Sequence, residues 1–204
     1  MKHIVKQAEP TGLDYARKHH LTWDEFHEQC HDSYMACRTQ ANEEQSGECA
    51  YTGMPLNENA NIHIDHFMKK SIYPKLTFIW TNLFAAIKDN NYGADYKDEY
   101  IKRSNAENVY SKLLHPALDN PESYFWYSTN GKIDPKDGLS DEEKDRAKTT
   151  IDVFHLNDSI LLNRRREMFK ILQTYTDIPM EEALLYLNEY GFSFVITSFY
   201  QYNS

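Results

Sequence analysis

The run Ile62-His63-Ile64-Asp65-His66-Phe67 sets the tightest limit on what this chain can fold into. Apolar and polar residues alternate, and in an extended strand alternate side chains leave on opposite faces. Ile62 and Ile64 therefore belong to a core, while His63 and Asp65 share the other face. His66 closes the run, where the chain turns and its ring can swing toward the same side. A carboxylate beside an imidazole is a useful pair. Aspartate holds hard cations such as Mg²⁺, and neutral histidine accepts a proton near pH 7. Asn82 follows with an amide suited to holding the imidazole by a hydrogen bond, and Asn91 offers a further oxygen to a metal.

The flanking sequence supplies a frame of helices. Thr22 can cap a helix running to about Ser46, with Trp23, Phe26, Cys30, Tyr34 and Cys37 as its apolar stripe and Gly47 as its stop. Strand signals follow at 49–56 and 62–67, separated by the polar turn 57–61. Residues 89–102 have the pattern of a helix capped by Asp89 or Asn90, with Asn91 in its first turn. Strand, strand and helix, with ligands on the second strand and the helix, make a compact clamp for a metal. Asn130 and Gly131 suit a two-residue hairpin turn. Ser140 and Glu143 form a capping-box pattern opening a helix to about Phe154. Further helices are expected at 158–175 and 179–190, with Pro179 in the first turn and Gly191 as the stop. The last stretch, FSFVITSFYQY, fits either a strand or a buried helix. The expected fold is α+β and mainly helical, one compact unit in three parts: an N-terminal arm and helix (1–46), a central core (47–103) and a helical region with a hairpin (104–204).

With 41% hydrophobic and 14% aromatic residues, and only 7 glycines and 7 prolines, the chain has ample material for a packed core. No apolar run approaches the ~18–20 residues of a bilayer crossing, and MKHIVKQAEP lacks the apolar stretch of a secretion signal. Three cysteines fit a reducing compartment, so a cytoplasmic protein without membrane contact is expected. The net charge of −9 repels phosphate at long range and argues against a stand-alone basic nucleic-acid binder. Phosphodiester chemistry would need a local basic patch, a metal or a partner. Lys69, Lys70, Lys88 and Lys97 bracket the Asp65–His66 run and are the candidates for substrate contacts. His27, Cys30 and His31 lie at metal-ligand spacing on a helix, but Cys30 falls in the apolar stripe and no fourth ligand accompanies them. The basic run at 163–167, NRRRE, reads as a solvated or interface face, and His115 and His155 as structural.

Taken together, Cys49-Ala-Tyr-Thr-Gly53, His63-Ile-Asp65-His66-Phe67, Trp80-Thr-Asn82-Leu83 and Asn90-Asn91 resemble the ββα-metal core of HNH endonucleases. NEEQSGECAYTG, HIDHFMKKSIYPKLTFIWTNL and DVFHLNDSILLNRRREMF are similar to one branch, the PtuB-like nuclease subunits of Septu antiphage systems and of some retron systems. The resemblance runs over 42–98 and again around 150–169. It implies that Asp65 is the metal-binding acid, His66 the general base, Asn82 the residue that orients the base, and Asn91 the second metal ligand. His63 shares the face of Asp65 as an assisting residue.

Many relatives of this type bind a structural zinc through two CxxC pairs around the core. Here Cys49 is present, but Thr52, Ile87 and Asn90 stand at the other positions, and one thiolate cannot hold a tetrahedral zinc. No structural zinc is expected, with Leu83 and Ile87 filling the space by packing. The implied activity is metal-dependent phosphodiester hydrolysis with Mg²⁺, or Mn²⁺ in its place, on DNA first and RNA or tRNA as the alternative. The implied partner is a PtuA-like ATPase, and the chain carries no phosphate-cradling glycine-rich loop of its own. The competing class is a non-catalytic binding subunit that retains a degenerate HNH fold.

Overall fold

A computed structural model describes residues 1–57, 62–175 and 177–203. Along the chain come helices α1 (Leu13–Lys18), α2 (Trp23–Gln29) and α3 (His31–Glu44), then strands β1 (Ile62–His66) and β2 (Leu83–Ile87). Helices α4 (Gly93–Tyr100) and α5 (Ala106–Tyr110) follow, then the short strands β3 (Phe125–Tyr127) and β4 (Ile133–Pro135). Helices α6 (Asp141–Val153), α7 (Ser159–Thr174), α8 (Met180–Tyr186) and α9 (Ser193–Asn203) complete the order. The architecture is α+β and mainly helical, with two small antiparallel sheets. Among the described residues no helix is long and apolar enough to cross a membrane.

The partner of β1 is not the segment before it. β1 pairs antiparallel with β2, setting His63 opposite Ala86, Asp65 opposite Phe84 and His66 opposite Leu83. Residues 49–56 do not form a strand. Gly53 donates its N–H to the Cys49 carbonyl (2.9 Å) and Cys49 to Met54 (2.8 Å), which curls the chain into a tight knuckle with one isolated bridge, Glu48 to Pro55. Of the polar turn expected at 57–61, residues 58–61 lie outside the described residues. β2 is buried along its whole length, with α3 and α4 packed on it. Gln45, fully buried, extends the ladder: its amide accepts from Ala85 N–H (2.9 Å) and donates to the Ala85 carbonyl (2.8 Å).

Local capping explains most of the helices. Thr22 and Ser140 each close a capping box, and the Asp158 side chain accepts from Ile160 N–H at the start of α7. The single helix expected from Thr22 to Ser46 is two, because Cys30 leaves helical geometry (φ −121°, ψ 44°) and serves as the end of α2 and the start of α3. A further helix, α1, forms where the sequence suggested a loose arm, anchored by buried Leu13 and Ala16. Pro179 sits at the N-cap of α8 rather than in its first turn, and the apolar C-terminal stretch is helical.

The β3–β4 turn is longer than two residues: Ser128 N–H reaches the Lys132 carbonyl (2.9 Å) and Gly131 N–H the Ser128 carbonyl (2.8 Å). Gly131 is left-handed (φ 87°), and the Leu162 carbonyl of α7 occupies the place a Cβ would take. Arg165, within the basic run read as a solvated or interface face, is instead fully buried. It donates to the carbonyls of Gly131 (2.6 Å) and Leu156 (2.7 Å), bolting the hairpin to α7. The knuckle is held from the far end of the chain: Phe192 N–H donates to the Gly53 carbonyl (2.7 Å), and Glu48 accepts from the Ser193 N–H (2.7 Å) and hydroxyl (2.8 Å). Tyr51 of the knuckle stacks on Phe154 at 4.5 Å.

Candidate active site at the end of the first strand

β1 delivers Asp65 and His66 to a loop that leaves the sheet at Phe67 and rejoins it at Leu83. Asn82 ties the neck of this loop. Its Oδ1 accepts from Met68 N–H (2.8 Å), and its Nδ2 donates to the carbonyls of Met68 and Leu76 (both 3.1 Å). The expectation that Asn82 bonds the imidazole directly is corrected: among the described residues its side chain bonds only to loop backbone. It acts one step away, because the loop it closes carries Thr77, whose carbonyl accepts from His66 Nε2 at 3.0 Å.

That bond fixes the ring. A carbonyl has no proton to give, so Nε2 carries the hydrogen, and in the neutral ring Nδ1 is then the acceptor. His66 is 7% exposed, and Trp23 of α2 packs against its ring in a T-shaped contact with centroids 4.6 Å apart. Burial, opposed by the charge of Asp65, pushes the His66 pKa down to about 4, so the ring is neutral at pH 7.

Asp65 is 5% exposed and its Oδ2 accepts from the Tyr51 hydroxyl (2.5 Å) and the Lys97 ammonium (2.9 Å). Burial alone would raise its pKa, but Lys97, His63 and Tyr51 outweigh that and hold the carboxyl below its ordinary range. Lys97 is fully buried on α4, and its ammonium also donates to the carbonyls of His66 (2.7 Å) and Phe67 (3.1 Å) and pairs with Asp98 (3.0 Å). Burial raises the Asp98 pKa, and likewise that of Tyr51. His63 is half-buried, and its Nδ1 has no hydrogen-bond partner among the described residues.

Asn91 lies in the turn before α4, not in its first helical turn, and is exposed. Its amide and N–H donate to Asp89 Oδ1 (3.0 and 2.8 Å), and its carbonyl accepts from the His155 ring (2.6 Å). One carboxylate oxygen of Asp65 is taken by Lys97 and Tyr51, and the Asn91 amide is turned to Asp89. Among the described residues no group of three or more His, Cys, Asp or Glu is placed to hold a metal. With Asp65 Oδ2 taken by Tyr51 and Lys97 and the Asn91 amide nitrogen by Asp89, Asp65 Oδ1 and Asn91 Oδ1 are the oxygens that would hold the expected Mg²⁺ or Mn²⁺.

The four lysines divide. Lys97, expected as a substrate contact, is instead the buried partner of Asp65. Lys69 donates to the carbonyls of Asp98 (2.6 Å) and Ile101 (3.1 Å), where the end of α4 leaves acceptors without helical partners. Lys70 and Lys88 face solvent, Lys70 at 3.3 Å from Asp24. Sequence reasoning missed Arg17, His20 and Lys75, which join Lys70 in lining a groove of about 560 Å³. Trp23 and Thr77, the two residues set against the His66 ring, form part of its wall. At the zinc positions of the resemblance, Cys49, Thr52 and Ile87 are buried and Asn90 is exposed. No protein-family model matches this sequence, and no curated protein matches it.

Proposed function

We propose that this chain is an endonuclease of the HNH type that hydrolyses nucleic-acid phosphodiester bonds, with His66 as general base. The observation that carries the proposal is the ring geometry at the end of β1. Its Nε2–H is committed to the Thr77 carbonyl and its Nδ1 lone pair is left for water. In the proposed step, water gives a proton to Nδ1 as its oxygen bonds to phosphorus and the bond to the departing oxygen breaks. The Thr77 carbonyl and the nearby Asp65 charge favour the imidazolium that forms. Lys70, Lys75 and Arg17 bring cationic side chains to the adjoining groove, where Lys70 is paired with Asp24 and Arg17 with Glu9 and Asp14, pairs that a backbone phosphate would have to displace. Double-stranded DNA is the first substrate proposed, and RNA, including tRNA, is the alternative, because such a groove contacts backbone phosphate rather than base edges.

Trp23 packed against His66 narrows the approach to the ring, and a −9 chain draws nucleic acid poorly by itself. A PtuA-like ATPase partner fits this need, since it could supply a nucleic-acid channel, raise local substrate concentration and gate the site. The test is cleavage of labelled duplex DNA and RNA by the purified chain, alone and with a PtuA-like ATPase, in Mg²⁺ and in chelator. Cleavage of neither nucleic acid under any of these conditions rules the proposal out. The second reading, a non-catalytic binding subunit on the same fold, is favoured by the Asp65–Lys97 pair. It predicts nucleic-acid or partner binding that His66→Ala leaves unchanged, with no cleavage.

A further inference from the structure

The ammonium of Lys97 has the surroundings of a bound metal ion. Its shell is all oxygen: Asp65 Oδ2 at 2.9 Å, the His66 carbonyl at 2.7 Å, the Phe67 carbonyl at 3.1 Å and Asp98 Oδ1 at 3.0 Å. A lysine ammonium has three protons, and Asp65 with the two carbonyls accounts for all of them. The side chain is 0% exposed, so neither water nor salt screens the pair. Three of these oxygens come from consecutive residues at the end of β1, and Asp98 neighbours Lys97 on α4, so strand and helix meet around the charge.

We propose that Lys97 is the resident cation of this site, a tethered ammonium standing where a divalent ion would sit, and that its withdrawal leaves a site for one Ca²⁺ or Mn²⁺. Two carboxylates and two carbonyls form an oxygen-only set of the kind that hard cations take. Distances of 2.7–3.1 Å suit an ammonium and need only slight contraction for Ca²⁺, whose oxygens sit at ~2.3–2.6 Å. They need more for Mg²⁺, at ~2.0–2.1 Å with near-octahedral demands. Charge leads to the same ion class. With Lys97 present, one positive charge faces two carboxyl groups; without it, a divalent ion balances both. Breaking a buried ion pair by removing one partner is strongly unfavourable, so a bare variant has a strong drive to recruit a replacement.

Isothermal titration of the full chain with Ca²⁺, and separately Mn²⁺, tests this without reference to cleavage. The wild type is expected to show no binding that depends on Asp65 up to about 1 mM, the weak end of calcium sites. Lys97→Ala is expected to bind one Ca²⁺ per chain with Kd on the order of 10⁻⁴ M. That binding should disappear in Lys97→Ala/Asp65→Asn, and Ca²⁺ should raise the melting temperature of Lys97→Ala but not of the wild type. A wild-type site lost on Asp65→Asn overturns the proposal while leaving the nuclease reading intact, as does a folded Lys97→Ala that binds nothing. If Lys97→Ala does not fold, the wild-type titrations decide alone: an Asp65-dependent site refutes the resident cation, and its absence supports it.

Discussion

Asn82→Ala separates the loop from the strand it serves. The side chain is 4% exposed and holds Met68 N–H, the Met68 carbonyl and the Leu76 carbonyl. Each bond is worth a net ~0.5–1.5 kcal/mol, and a group left buried without a partner costs ~1–3 kcal/mol. Water will reach some of the freed backbone, so a total loss of about 3 kcal/mol is expected. For a chain of this length each kcal/mol moves the midpoint by ~2–4 °C, which gives a fall of roughly 6–12 °C in thermal unfolding. Asn82→Asp should fare no better: it keeps the acceptor for Met68 but sets a carboxylate against two carbonyls. The second readout is the His66 ring. With the neck of the loop untied, the Thr77 carbonyl no longer holds Nε2, and imidazole ¹⁵N shifts should move from the Nε2–H tautomer toward a mixture. If Asn82→Ala melts with the parent and leaves the His66 shifts unchanged, the link from Asn82 through the loop to His66 is wrong.

Burial lowers the pKa of both His66 and His115 to about 4, against ~6.5 in an unfolded chain. Between those values the unfolded chain takes up protons that the folded one does not. Stability is therefore full above about pH 6.5 and falls as pH drops toward about 4, by on the order of 3 kcal/mol for His66 and less for the more open His115. Urea midpoints at about pH 7.5 and about pH 5 check this, and equal midpoints would refute it. Gly131→Ala should lose more than about 2 kcal/mol, since the left-handed backbone alone costs ~1–2 and the Leu162 carbonyl blocks the new methyl. Gly138→Ala, at φ 82° with none of the described residues within 4 Å of the new methyl, should lose only that backbone term, about 1 kcal/mol. Equal denaturation midpoints for the two variants would show that the hairpin does not press on α7.

What could be seen in the sequence was what local chemistry decides. The alternation at 62–66 does make a strand with His63 and Asp65 on one face, and the capping boxes at Thr22 and Ser140 do open helices. What escaped depends on distant partners. Leu83-Phe-Ala-Ala-Ile87 carries two alanines at its centre and no alternation of polar and apolar residues to mark a strand; both β1 and Gln45 offer it backbone partners. The kink at Cys30 has neither glycine nor proline to announce it. Lys97 sits in a polar helix where a lysine is ordinarily solvated, and its partner Asp65 is 32 residues away. Nothing near either residue in the chain marks that pair. Arg17 likewise enters the groove beside His66 only because α1 forms, a helix that pattern reasoning did not find.

Cleavage by His66→Ala, measured against the wild type on the same labelled DNA and RNA, tests the central claim most directly. The ring is only 7% exposed, so each rate must be taken well below the variant's own unfolding midpoint. A general base contributes typically 10²–10⁴-fold, and a loss of that size in a folded His66→Ala is the predicted result. A folded His66→Ala that cleaves at the wild-type rate contradicts the assignment of His66 as the base.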